Sequence, residues 1–565
     1  MTAAVQTIWC ELLAGTLVDA GVRTVVISPG SRSTPLVAAL ATTPGLELVT
    51  IIDERAAAFY ALGAARATGA PAALVCTSGT AAAHYLPAII EASLAAVPLV
   101  AITADRPPEL LHCGASQTID QVKLYGAAVR GAFDVGAPTR AVRALRRTVL
   151  QAVTIAKGPH AGPVHVEVPL RKPLEPAVPS TDDERALAAE ARALRGAVRI
   201  APPSLAPDPA ALAELGDAIA AEPDGVIVAG ALPASFPREL VLDLARRAGY
   251  PLIAEAASQL RFGPRDGIVA IDHADLVPLA ARPAPKLVVQ LGAEPVAASW
   301  PGWLASLRGA RRFVLAGATW ADPDGSARVI VGDVTHVPFG ERRSRVRTDA
   351  WLDTWRSLEL RAAAAASSAI ERAPTSETAV LRAVVQALPP GAAMQIGNSL
   401  PIRTIDHVPG GGRAIRVLSQ RGAAGIDGLI ASAAGATRAG APVLLVLGDV
   451  SFAHDLGSLL AAREAAAPLA VLVLDNGGGQ IFAGLPVARA SLGAAFERHF
   501  LTRPGIDPVA VAAALGARGV TATTPAAAAS AVATALAADE VTVIHAPVSV
   551  SGAHDVRTNA MGDLS

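Results

Sequence analysis

The sequence predicts an α/β protein of three doubly wound domains with mainly parallel sheets. Two observations carry this. Short apolar, β-branched runs recur along the 565 residues, each followed by a polar turn and a segment of helical composition. The alternation lapses twice, at 173–208 and 341–374, where proline-rich or charged helical stretches read as linkers. Domains are therefore expected at 1–180, 209–340 and 375–565, in keeping with the roughly three or four that the length favours.

In the first domain, 24–27 reads as a strand closed by Ser28-Pro29-Gly30-Ser31-Arg32, followed by a helix over 35–41. The next strand, 46–52, ends in Asp53-Glu54-Arg55 and leads into an Ala-rich helix to Thr68. Strand 72–76 precedes Thr77-Ser78-Gly79-Thr80 and a helix through Ala96, and strand 99–103 ends in Ala104-Asp105-Arg106. These polar clusters gather on the carboxyl edge of the sheet, where open α/β sheets bind ligands. In the second domain 226–229, 251–254, 286–291 and 312–315 are candidate strands, and their turns carry little chemistry. The third offers strands at 393–396, 443–447, 470–474 and 541–545, with a helix over 456–467.

Composition narrows the function classes. At 52% apolar and 17% charged, the chain can bury large cores. A net charge of −1 argues against a nucleic-acid or membrane-surface protein. Cys10, Cys76 and Cys113 lie far apart without CxxC spacing, which predicts a reducing compartment and no zinc site. The start MTAAVQTIWCELLAG lacks the pattern of a signal peptide, and no apolar run reaches the ~20 residues of a membrane span. A cytoplasmic protein is expected. The eleven histidines show no paired-ligand spacing, and His84, His454 and His545 read as structural.

Two turns of the third domain carry the chemistry. Gly448-Asp449 ends one strand, and Asn476 follows the next after 26 intervening residues. Mg²⁺ seeks octahedral oxygen ligands, takes one or two from side chains, and completes its shell with phosphate and water. Either turn alone is ordinary. Joined by one βαβ unit, they suggest a diphosphate held through a metal ion.

This spacing resembles the diphosphate motif of thiamine-diphosphate-dependent enzymes, and the domain order resembles their decarboxylase-type branch. Further stretches fit: ISPGSRSTPL (27–36), DERAAAFYALG (53–63), CTSGTA (76–81), TADRPPEL (103–110), QTIDQVKLYG (117–126), GNSLPIR (397–403), RGAAGIDG (421–428), GDVSFAHDL (448–456) and GGQIF (478–482). Together they are similar to the transferases of menaquinone biosynthesis within that family. The likeness is dense in the first and third domains and weak in the middle one.

The resemblance implies a first domain that binds the cofactor's aminopyrimidine, a central spacer and a last domain that binds the diphosphate. It implies Glu54 as the catalytic residue, hydrogen-bonded to a pyrimidine nitrogen. From sequence alone, Glu54 reads equally as a carboxylate favoured by a helix N-terminus. It implies Asp449, Asn476 and the Gly478 carbonyl as ligands of Mg²⁺ or Mn²⁺, with Gly448, Ser451, Gln480 and Ile426 against the cofactor. Ile426 reads equally as a core residue. In this family the Glu and the metal motif meet across a subunit interface, so a homodimer or homotetramer is expected.

The implied substrates are 2-oxoglutarate and isochorismate, joined by decarboxylation and 1,4-addition. Both are dicarboxylates, which favours planar bidentate cations, Arg before Lys. Arg32, Arg106, Arg403 and Arg421 lie in or beside strand-end turns, and Ser31, Gln117, Asn398 and Ser399 add neutral donors. Two features depart from the family. Leu291-Gly292 continues AEPVAASWPGW, with no Lys or Arg before Arg308 where relatives place a cation, and Asp475 precedes Asn476 where Asn is frequent. The alternatives are another thiamine-diphosphate enzyme, such as a 2-oxoacid decarboxylase or acetolactate-type synthase, and a cofactor-binding paralogue without activity. Four arginines weigh against the first; retained Glu54, Asp449 and Asn476 weigh against the second.

Overall fold

Strands that are apolar on both faces must be covered by helices on both sides, and the chain supplies them. The computed structural model describes residues 2–196, 200–201, 203–317, 320–333 and 350–565. Among these, all strand pairings are parallel and form three sheets. The first contains β1 (Thr24–Ile27), β2 (Glu47–Thr50), β3 (Ala72–Cys76), β4 (Leu99–Asp105), β5 (Ala132–Asp134) and β6 (Pro163–Pro169), in the order 2-1-3-4-6-5. The second contains β7 (Gly225–Ala229), β8 (Leu252–Ala254), β9 (Leu287–Leu291), β10 (Arg311–Leu315) and β11 (Arg328–Ile330), in the order 11-10-9-7-8. The third contains β12 (Ala393–Ile396), β13 (Arg416–Ser419), β14 (Val443–Gly448), β15 (Leu469–Asp475), β16 (Arg518–Thr521) and β17 (Val541–Pro547), in the order 13-12-14-15-17-16. Strand order reverses between β1 and β3 and between β12 and β14, the topological switch points at which such sheets bind ligands. The expected α/β architecture is therefore present.

The chain clusters into two compact units. One comprises the chain through Ser204 with Gln420–Gly440 and Asp455–Ala466; the other comprises Leu205–Ser419, Ala441–His454 and Ala467–Ser565. In the first unit, Val25, Ile27, Val75, Val100, Ile102 and Val166 pack against Trp9, Leu13 and Leu17 of the opening helix. Its closest helix pairing joins Glu54–Thr68 to Leu429–Ala436. The former starts at Asp53, whose side chain accepts from the Arg55 amide, and ends at Gly69 in left-handed backbone. A Cβ on Gly63 would stand 1.9 Å from the Ser432 carbonyl oxygen, and one on Gly435 would stand 1.9 Å from that of Tyr60. Only glycine permits the two backbones to meet at both points.

Some expectations need correction. Of the helix expected over 456–467 only Ser458–Ala462 forms, and a second short helix, Asp449–His454, precedes it. Asp455 separates the two short helices, and its carboxylate accepts from the Ile430 amide at 2.7 Å and from Ser458 Oγ at 2.6 Å. The helix expected through Ala96 is divided into Thr80–Ala83 and Leu86–Leu94, with Pro87 in the first turn of the second. The stretch 173–208 is no free linker. Its helix Asp182–Ala193 opens with a Thr181–Glu184 capping box and buries Leu187 and Ala191 in the first core. Of the stretch 341–374, residues 341–349 lie outside the described residues, as do 334–340 of the expected second domain; Ala350–Arg372 is one helix that buries Trp355 and Leu358. Among the described residues no helix is long and apolar enough to cross a membrane. All three cysteines are free.

The substitution Gly435→Ala should lower the thermal midpoint by several degrees, because overpacking against backbone costs about 1–3 kcal/mol. A midpoint unchanged in differential scanning calorimetry would contradict the contact.

Candidate active site

The candidate residues form two sets, one in each unit. In the second unit, β14 and β15 run in parallel register, with Gly448 opposite Leu474, so Asp449 and Asn476 emerge from neighbouring strand ends. Asp449 is buried; its Oδ1 accepts from the Val450 amide at 2.9 Å and its Oδ2 from the Gly478 amide at 2.6 Å. That second bond ties the two turns together. Asn476 is also buried and donates Nδ2 to Glu377 Oε1 at 2.5 Å. Asn476 Oδ1 and Glu377 Oε2 are buried without a hydrogen-bond partner among the described residues.

A buried acceptor without a donor is unfavourable by about 1–3 kcal/mol, unless something else meets it. An Asn oxygen beside a carboxylate suits a hard cation, so the residues fit the metal that the sequence implies. The Gly478 carbonyl accepts from the Gln480 amide at 2.8 Å and keeps a second lone pair. Gly478 has φ +117°, and a Cβ there would lie 2.4 Å from the Leu501 carbonyl oxygen. Nothing lies within 4 Å of where a Gly448 Cβ would sit, which leaves a cradle open beside Asp449. Ser451 and Gln480 are buried in the same two turns. Among the described residues no three His, Cys, Asp or Glu side chains could hold a metal ion together. A cation here would take its other ligands from backbone, amide and ligand oxygens.

Two participants were not legible in the sequence. Glu377 opens the helix Glu377–Ala387 and reads as a carboxylate at a helix N-terminus, with nothing to mark its reach to Asn476. His545, expected to be structural, binds Asp475 Oδ2 through Nε2 at 2.8 Å, while Asp475 Oδ1 accepts from the Gly477 amide at 3.1 Å. The Asp at this turn is thus held in place. Burial pushes the Glu377 carboxyl up to about 7, with Asp449 adding to the rise and Asn476 opposing it. Burial likewise raises Asp449 to about 6, with Asp475 contributing. Farther along this unit, Asn398 is buried after β12, Ser399 adopts φ +70°, and Arg403 donates Nη1 to the Ser399 carbonyl at 2.8 Å. Left-handed backbone at a serine is strained, and such strain clusters at functional turns.

In the first unit, Arg32, Arg106 and Gln117 gather at the ends of β1, β3 and β4. Arg32 is buried, donates Nη1 to the Leu170 carbonyl at 2.7 Å, and leaves Nε without a partner among the described residues. Arg106 bonds Ser78 Oγ and the Ser116 carbonyl. Gln117, at φ +53°, donates its side-chain amide to the Ser78 carbonyl at 3.1 Å. Ser31 is exposed at the start of the short turn Ser31–Ser33. The Arg32 pKa is lowered by burial and then by Arg106, with Asp105 opposing.

Beneath them lies a buried network. The Asp105 carboxyl is hydrogen-bonded to Glu167 and pushed up to about 7, chiefly by burial. Thr103 Oγ1 meets Glu167 at 3.1 Å and His165 Nε2 at 2.7 Å, and burial drives His165 down to about 4. Burial raises both carboxyls of this pair.

Glu54 is the first residue of its helix and half-buried. Its carboxylate and that of Glu167 add to the rise that burial imposes on the Cys76 thiol. Arg421 is exposed, and Ile426 is half-buried two residues before Gly428. The segment after β9 carries no Lys or Arg of its own before Arg308, although Arg282 donates Nη2 to Ser299 Oγ within it at 2.8 Å. The nearest buried cation on the adjoining strand, Arg312, is occupied by Asp322 at 2.8 Å and Gln290 at 2.6 Å.

Known proteins resemble this chain at several levels. Residues 9–124 match the thiamine pyrophosphate enzyme N-terminal TPP binding domain, and residues 414–546 match the C-terminal TPP binding domain of the same enzymes. Benzoylformate decarboxylase from Polynucleobacter necessarius superposes with a TM-score of 0.71 over 96% of this chain and 98% of its own; at 16% identity that likeness concerns the fold. The chain is 41% identical over 536 residues to the 2-succinyl-5-enolpyruvyl-6-hydroxy-3-cyclohexene-1-carboxylate synthase of Sorangium cellulosum (strain So ce56), covering 90% of this chain and 87% of that protein. It is 41% identical over 487 residues to the protein of that name from Geobacillus thermodenitrificans (strain NG80-2), covering 84% and 82%. Identity of this order across most of both lengths, with both cofactor-domain matches, shows that the chain belongs to the family of 2-succinyl-5-enolpyruvyl-6-hydroxy-3-cyclohexene-1-carboxylate synthases.

Proposed function

We propose that the protein decarboxylates 2-oxoglutarate with thiamine diphosphate and adds the remaining four-carbon unit to isochorismate, as a cytoplasmic enzyme of menaquinone biosynthesis. The observation that carries this reading is the linked pair of strand-end turns, in which Asp449 accepts from the Gly478 amide and Asn476 Oδ1 stays unpartnered. Asp449, Asn476 and the Gly478 carbonyl hold Mg²⁺ or Mn²⁺ and, through it, the diphosphate. Gly448 leaves room for that group, Ser451 and Gln480 border it, and Ile426 supports the ring system. Bound there, the cofactor supplies a nucleophilic carbon and a sink for the electrons left when CO₂ departs. Glu54 holds a proton at a pyrimidine nitrogen. By resemblance to the family, the active unit is a dimer or tetramer in which one subunit's Glu54 serves its partner's metal turn.

The arginines bind and orient the substrate carboxylates. Arg32 offers a buried, unpartnered Nε beside the second guanidinium of Arg106. Paired donors of this kind suit a carboxylate bound in two-point fashion. Gln117, Ser31, Asn398 and Ser399 add neutral donors, and Arg403 and Arg421 serve the remaining carboxylates. Orientation and a preorganised field, rather than a further acid or base, lower the barrier.

The direct test is CO₂ release from 2-oxoglutarate with isochorismate present, with and without thiamine diphosphate and Mg²⁺. Release that needs both thiamine diphosphate and Mg²⁺ is expected; turnover of pyruvate in place of 2-oxoglutarate would refute the substrate assignment. Glu54→Gln should reduce turnover by roughly 10²–10⁴-fold while thiamine diphosphate affinity changes little; unchanged turnover would remove Glu54 from its role.

A pH experiment probes the metal turn. Both Glu377 and Asp449 are raised above their ordinary values, so the stability they contribute is full at low pH and falls as pH rises through about 6 to 7. Without cation, the melting temperature should drop between pH 5 and pH 8. For Glu377 the shift corresponds to about 3 kcal/mol, so Glu377→Gln should flatten that drop. Thiamine diphosphate with Mg²⁺ should stabilise the protein more at pH 8 than at pH 5, since the cation needs ionised Asp449. Equal stabilisation at both values would contradict this.

A further inference from the structure

Glu91 belongs to the helix Leu86–Leu94 and has 0% exposure. An ionised carboxylate taken wholly out of water must be compensated by charge and hydrogen bonds. Its compensation is unusual in source. Arg66 Nη2 reaches Oε1 at 2.8 Å. Three successive backbone amides supply the rest: Gly422 to Oε1 at 3.2 Å, Ala423 to Oε2 at 2.6 Å and Ala424 to Oε2 at 2.9 Å. Consecutive N–H groups turned inward form a nest that favours an anion. The approach is close enough that a Cβ on Gly422 would fall 2.9 Å from both the Glu91 carbonyl oxygen and Oε2.

The segment so held is the one that matters for binding. Arg421 immediately precedes the three amides, and Ile426 follows two residues after Ala424. Arg66 lies in the helix Glu54–Thr68, which Glu54 opens. One buried carboxylate therefore joins that helix to the loop bearing Arg421 and Ile426. Gln420 closes the loop from its other end by donating Nε2 to the Asp427 carbonyl at 2.8 Å. Arg66 supplies the counter-charge to Glu91.

We infer that Glu91 is a positioning residue for the synthase reaction, fixing the 421–426 backbone so that Arg421 meets a substrate carboxylate in one preformed place. The inference rests on the role proposed above for Arg421. Glu91 touches neither substrate nor cofactor. Holding a binding cation in advance removes the ordering cost that each encounter would otherwise carry.

The test uses full-length enzyme loaded with thiamine diphosphate and Mg²⁺, as wild type, Glu91→Gln, Gly422→Ala and Arg421→Ala. Amide hydrogen exchange at 422–424 reports the anchoring, and KM and kcat for both dicarboxylates report its consequence. In Glu91→Gln, exchange at those amides should rise at least about tenfold, as expected when charge-assisted bonds are lost. KM for one dicarboxylate should rise by about the same factor, with kcat changing less. The dicarboxylate affected should be the one whose KM rises in Arg421→Ala. Gly422→Ala keeps both charges but displaces the loop, so it should reproduce the effect, and it serves if Glu91→Gln fails to fold. Unchanged exchange at 422–424 would overturn the inference, as would faster exchange with unaltered KM in a background where Arg421→Ala raises it. Wild-type KM values in Arg421→Ala would overturn the substrate reading itself, independently of the exchange result.

Discussion

The first unit depends on two glycines that let helices touch. Gly63 and Gly435 place the backbones of Glu54–Thr68 and Leu429–Ala436 against each other, with would-be Cβ positions 1.9 Å from carbonyl oxygens. No side chain could occupy either point, so the contact is specified by what is absent. In sequence, the second helix lies between β13 and β14 of the third sheet, yet it clusters with the first sheet's helices. Further bonds secure the same pairing. Tyr60 donates to the Glu464 carbonyl at 2.6 Å, Arg438 Nε donates to the Tyr60 hydroxyl oxygen at 2.8 Å, and Asp455 caps the Leu429 helix through the Ile430 amide. The loop bearing Arg421 and Ile426 is therefore attached at its C-terminal end to a closely packed helix.

Buried carboxylates of the scaffold are fully met, whereas some buried groups of the candidate site are not. Glu91 is met by an ion pair and three amides. Asp272 is held by Arg265 at 2.7 and 2.8 Å, and its carboxyl lies at about 2 although burial alone would raise it. These carboxylates support structure. Asn476 Oδ1, Glu377 Oε2 and Arg32 Nε are buried with no partner among the described residues. The first two share the metal turn, and the third sits beside Arg106. A satisfied buried group rigidifies, whereas an unsatisfied one remains available to a ligand.

Much of this was readable from the residues. The strands β1, β3 and β12 fall where their apolar runs place them, because each is buried on both faces. β5, β11, β13 and β16 escaped notice: they are only three or four residues long, and each carries a charged residue. β6 escaped for another reason, since PVHVEVP interleaves His and Glu that become buried only through Thr103 and Asp105 on the neighbouring strand. In the site, Asp449 and Asn476 were legible because their spacing reflects one local βαβ unit. Glu377, His545 and Glu91 were not, because their partners lie 99, 70 and more than 330 residues away. Chemistry set by chain-local geometry leaves a pattern in sequence; chemistry set by tertiary packing leaves only an ordinary-looking Glu at a helix start or in a helix interior.

The central claim is that the Asp449 and Asn476 turns anchor a metal-bound diphosphate. Calorimetric titration of thiamine diphosphate with Mg²⁺ into the wild-type chain and Asp449→Asn tests it most directly. The account predicts binding that requires Mg²⁺ in the wild type and weakens by about 100-fold or more in Asp449→Asn, with the circular dichroism spectrum unchanged, since losing a charged metal ligand removes several kcal/mol. Equal affinity in the two proteins, or wild-type binding indifferent to Mg²⁺, would contradict it.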